Sequence, residues 1–63
     1  MDEKVYTPRE VANILNVSVF TVQELLRSGK IKGFKITSRW RVKPEELNRF
    51  VESQEVIIEK EEN

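Results

Sequence analysis

The chain has 63 residues, with 11 lysines and arginines against 11 aspartates and glutamates, and so carries no net charge. That length supports one small domain around one core. The absence of cysteine and histidine excludes disulfides, thiolate or imidazole zinc sites, and the commonest general base.

In chain order, Thr7-Pro8-Arg9-Glu10 predicts a helix start. Thr7 caps, Pro8 fits the first turn, and Glu10 closes a capping box three residues later. Val11, Ala12, Ile14 and Leu15 then form one apolar stripe. The helix should end near Asn16, which tolerates a left-handed C-cap, with Val17 expected to plug into the core. Ser18 is the predicted cap of a second helix through Val22, Leu25 and Leu26, stopping at Ser28-Gly29. Two short helices so joined have the spacing of a helix-turn-helix.

After Gly29 the apolar period becomes two. Phe34 and Ile36 flank Lys35, and Trp40 and Val42 flank Arg41, which predicts a β-hairpin. Pairing Ile36 with Trp40 and Phe34 with Val42 puts all four apolar side chains on one face. This register makes Thr37-Ser38-Arg39 a three-residue loop and sets Lys35 opposite Arg41, a repulsive pair. A phosphate between them would turn repulsion into binding. The same register assigns Trp40 to the core, against the alternative that it stacks on a sugar.

Pro44 opens a third helix, with Glu45 and Glu46 suited to its positive end. Those carboxylates point apart on a helix and are not read as an acid–base or metal pair. Leu47, Phe50 and Val51 give the buried stripe. Leu15, Val22, Leu26, Phe34, Trp40, Leu47 and Phe50 are expected to meet in one core. Residues 1–53 thus form the domain and 54–63 an acidic, flexible tail, whose Val56-Ile57-Ile58 patch is a candidate protein contact. That patch is the longest apolar run, so no membrane span is expected. MDEKVY has no signal-peptide stretch, which leaves a cytoplasmic location.

Seven of the 11 basic side chains fall within RSGKIKGFKITSRWRVK, residues 27–43, which holds no acid. Self-repulsion in so short a segment costs stability, and a polyanion would offset it.

The string from Tyr6-Thr7-Pro8-Arg9-Glu10-Val11-Ala12 through Asn16-Val17-Ser18, Thr21-Val22 and Gly29 to Arg39-Trp40-Arg41-Val42 and Leu47 resembles the excisionase-type DNA-binding domains, relatives of the MerR regulators' DNA-binding domain. The likeness covers about residues 5–52. It implies a mainly α fold with a small β-hairpin, a winged helix-turn-helix, in which the second helix enters the major groove and the hairpin, or wing, lies on the backbone or minor groove. By position, Ser18, Thr21, Gln23, Glu24 and Arg27 would face the groove, with Lys35, Arg39 and Arg41 in the wing. The pattern usually has arginines at Val19 and Phe20, an aromatic and a base at Gln23 and Glu24, and glycine and arginine at Thr37 and Ser38. Affinity is therefore expected to lean on the wing.

Gln23 can pair bidentately with adenine and Glu24 can accept from a cytosine amino group. Ser18 and Thr21 can donate to phosphates, although Ser18 is also needed as a cap. Phe20 either touches a thymine methyl or packs on the first helix. The resulting expectation is double-stranded DNA binding without chemistry, cofactor or metal, by an excisionase-like architectural factor or transcription regulator. It would be monomeric in solution, and cooperative on DNA or docked on an integrase or other protein. The alternative is a protein-interaction module on the same fold, supported by the apolar Val19 and Phe20. A third reading makes the chain the DNA-binding piece of a longer regulator or recombinase.

Overall fold

The structure is a computed structural model that describes the backbone of residues 4–62 and the side chains of residues 4–54. Its elements are α1 (Pro8–Leu15), α2 (Val19–Ser28), β1 (Phe34–Ile36), β2 (Arg39–Arg41) and α3 (Pro44–Glu62). It is a mainly helical winged helix-turn-helix.

Local chemistry places the helix ends. The Thr7 hydroxyl accepts from the Glu10 backbone N–H at 3.2 Å, and the Glu10 carboxylate accepts from the Thr7 N–H at 2.9 Å. Two donors that a helix start leaves orphaned are thereby satisfied. Asn16 closes α1 in the left-handed region, φ 62°. Ser18 caps α2 by accepting from the Thr21 N–H at 3.0 Å, and Gly29, φ 86°, ends it. The N–H groups of Lys30 and Ile31 then return to the Leu25 carbonyl at 2.9 and 3.2 Å. That reversal drives Ile31 inward.

The core consists of Val11 and Ala12 of α1, Val22 and Leu26 of α2, Leu47 of α3, and Ile31 and Val42 from between the helices. Leu15, Trp40 and Phe50 are half-buried against it. The N-terminal segment joins the wing: Tyr6 and Val42 exchange backbone hydrogen bonds of 2.8 and 2.9 Å. This short bridge ties the entry of α1 to the end of β2. Gly33 permits the close approach of α2 to the hairpin, since a Cβ there would lie 2.6 Å from Leu26 Cδ2 and 2.9 Å from the Arg41 carbonyl oxygen.

Four expectations are corrected. The hairpin pairs Phe34 with Arg41, Lys35 with Trp40 and Ile36 with Arg39, one residue away from the register that collects the apolar side chains. The turn decides it. Thr37 and Ser38 both have positive φ, 52° and 68°, as in the two-residue turn whose twist matches that of paired strands. Lys35 consequently faces Trp40 and not Arg41. Phe34, on the other face of the hairpin, is outside the core cluster, and Ile36 is half exposed. Val17 is no plug: it is 39% exposed, because its N–H is held by the Ala12 carbonyl at 3.0 Å in the α1 C-cap. Finally, α3 continues past Ser53 to Glu62, since no Gly or Pro interrupts it. The Val56-Ile57-Ile58 contact lies outside the described side chains.

Candidate nucleic-acid interface

Three elements wall one groove. The first turn of α1 contributes Thr7, Pro8 and Arg9, and α2 contributes Val19 and Gln23. The wing closes it with Ser38, Arg39, Trp40 and Arg41. Three guanidinium groups and one carboxamide thus border a single depression, with no carboxylate in its lining.

The wing's geometry organises the cations. Arg41 Nη1 donates to the Trp40 carbonyl at 2.8 Å, which holds this half-buried side chain at the root of the wing. Arg39, paired with Ile36 next to the turn, is exposed. The Lys35 ammonium sits 5.0 Å from the centre of the Trp40 ring, within range of a cation–π attraction. That contact takes Lys35 to the tryptophan face of the hairpin, away from Arg39.

On α2, helical spacing separates the candidates. Val22 and Leu26 point into the core, so Gln23 and Thr21, about 200° apart around the axis, fall on opposite flanks. Gln23 faces the wing groove. Thr21 instead borders an apolar trough with Val17, Leu25 and Phe50, and its hydroxyl lies 2.9 Å from that of Ser18. The structure therefore brings Gln23, Arg39 and Arg41 together and leaves Ser18 and Thr21 beside one another elsewhere. Phe20, on the outer face, is 68% exposed and is not spent on packing against α1. Glu24 and Arg27, also outward, form an ion pair of 3.4 Å. So exposed a pair contributes only about 0.3–0.5 kcal/mol, yet Glu24 cancels the single positive charge that Arg27 gives the outer face of α2.

Arg9 is the groove residue that sequence reasoning missed. It lies within a string whose capping role explains its neighbours fully, and nothing in the spacing says that the first turn of α1 borders the wing. The signal available was a base at an exposed position beside a proline-initiated helix, which is common on surfaces.

A helix-turn-helix whose second helix is flanked by a basic hairpin defines the winged helix-turn-helix class. The chain belongs to the helix-turn-helix domain family of the excisionase type, whose model matches residues 5–55. No curated protein and no solved structure matches it. Membership makes DNA binding, and not catalysis, the activity associated with this fold. Among the described residues no helix is long and apolar enough to cross a membrane.

Proposed function

We propose that the chain binds double-stranded DNA without chemistry, as an excisionase-like architectural factor or transcription regulator. The observation that carries this is the groove in which Gln23 stands among Arg9, Arg39 and Arg41 with no carboxylate in its walls. A carboxamide at the edge of a helix suits adenine N6 and N7 in the major groove. The surrounding guanidinium groups suit phosphates, which fix register but carry no base information. Phe20, Glu24 and Arg27 extend the reading surface along the outer face of α2. Ser18 and Thr21 are left the lesser role of phosphate donors at the start of the helix, and Lys35 contributes charge from the tryptophan face of the wing.

Fluorescence anisotropy on duplex DNA across a salt series tests this, with the parent, Arg41→Ala and Gln23→Ala. The parent should bind with strong salt dependence. Arg41→Ala should weaken all sequences alike, and Gln23→Ala the preferred site alone. Absence of binding even at low salt would instead support a protein-interaction module, the reading favoured by the exposure of Phe20.

A further inference from the structure

The wing groove uses only part of the basic run. Lys30, Lys32 and Lys43 belong to the same acid-free stretch but do not border that groove. The fold gathers them elsewhere. Lys30 and Lys32 line a hollow with Arg49 of α3, and Lys32 also lines an adjoining hollow with Lys43. Lys30, Lys32, Lys43 and Arg49 are all exposed. The one carboxylate common to both hollows is Glu46, one helical turn before Arg49. Among the described residues it forms no ion pair with any of the four cations. The two basic surfaces share no residue.

We propose that this face, made by Lys30, Lys32 and Arg49 with Lys43 at its edge, is a second phosphate site, taking the sugar–phosphate backbone of DNA outside the groove. Lysine ammonium groups on flexible stems are suited to phosphates as point charges, and offer no fixed fork for reading bases. The site accordingly adds affinity and salt dependence without sequence preference. It rests on the DNA-binding reading above. The phosphates come either from the flanks of the duplex held in the groove or from a second duplex. An acidic polypeptide, such as residues 52–63 of another copy with five acids and one lysine, is the competing occupant.

The test compares the parent with a Lys30→Gln, Lys32→Gln, Arg49→Gln triple variant. All three positions are exposed, and an unchanged melting curve by circular dichroism confirms folding; Lys32→Gln alone serves if the triple variant melts early. Anisotropy is read on a duplex covering one site and on one extended by a helical turn at each end. Co-capture of a second, differently labelled duplex is read alongside. The triple variant should lower the salt slope by two to three units, and the single variant by about one. The specific loss caused by Gln23→Ala should remain. A deficit in anisotropy places the phosphates on the same duplex, and a deficit confined to co-capture places them on another. Parent-like slopes on both lengths with parent-like co-capture would overturn the proposal. So would variants that lose self-association in sedimentation while binding DNA normally, because the occupant is then acidic polypeptide. If Arg41→Ala weakens binding while the triple variant changes neither anisotropy nor co-capture, this inference alone fails; if the parent binds no duplex, the DNA-binding reading itself fails.

Discussion

Lys35 stands directly opposite Trp40 across the hairpin, with its ammonium 5.0 Å from the centre of the ring. Trp40 is partly buried against the core cluster, while it also borders the wing groove. Trp40 is therefore both the foot of the wing and part of the candidate DNA surface. Trp40→Ala should cost about 2–4 kcal/mol, just under the range for a fully buried aromatic, because the side chain is partly and not fully buried. Lys35→Met should cost at most about 1 kcal/mol, the scale of an exposed cation–π contact. Chemical denaturation of both variants measures the difference, and equal losses would show that the ring is not anchored in the core.

The turn that sets the hairpin register strains two ordinary residues. Thr37 and Ser38 have φ of 52° and 68°, where an L-residue with a Cβ pays about 1–2 kcal/mol. Thr37→Asn with Ser38→Gly supplies the residues this turn prefers. The double variant should gain about 1 kcal/mol and raise the melting temperature by about 4–8 °C. A lower melting temperature would mean that the two side chains make compensating contacts.

Gly33 is needed for contact and not for backbone freedom. A methyl group there meets Leu26 Cδ2 at 2.6 Å and the Arg41 carbonyl at 2.9 Å. Gly33→Ala should thus push the hairpin from α2 and destabilise the domain by about 1–3 kcal/mol, the usual cost of overpacking. Since the shift moves the wing relative to Gln23, DNA affinity should fall even under conditions where the variant remains folded. Thermal melting and anisotropy at a temperature well below the transition separate the two effects.

Arg9 should behave as a wing residue, although it lies on α1. Arg9→Ala is expected to weaken binding on every duplex alike and to reduce the salt slope by about one unit. Its exposure predicts little change in stability. Salt-series anisotropy on two unrelated sequences checks both the size of the effect and its indifference to sequence.

In free solution the chain is expected to be a monomer, with self-association emerging on DNA through neighbouring sites or on a protein partner. Sedimentation at micromolar concentration should show a single species at the monomer mass. A tight dimer without DNA would refute this.

Where α1 and α2 begin and end, and where α3 begins, was legible from the chain alone. A cap is a contact among residues three or four apart: Thr7 with Glu10, Ser18 with Thr21, Gly29 with the carbonyls of Leu25 and Leu26. The inward positions Val22, Leu26 and Leu47 were legible for the same reason, because helical periodicity is local. The hairpin register was not. Alternating apolar residues in each strand admit two pairings, and the tertiary structure adopts the one that strains Thr37 and Ser38 while setting Trp40 against the helices. Ile31 joins the core from a segment without period, positioned by the α2 C-cap and by the approach of the hairpin at Gly33. Most of the candidate site was legible as a list of residues but not as a place. Only the packing of α1, α2 and the wing puts Arg9 beside Arg39 and Gln23, and only it divides one basic run between two faces, since positions distant along the chain become neighbours solely through the contacts the core imposes.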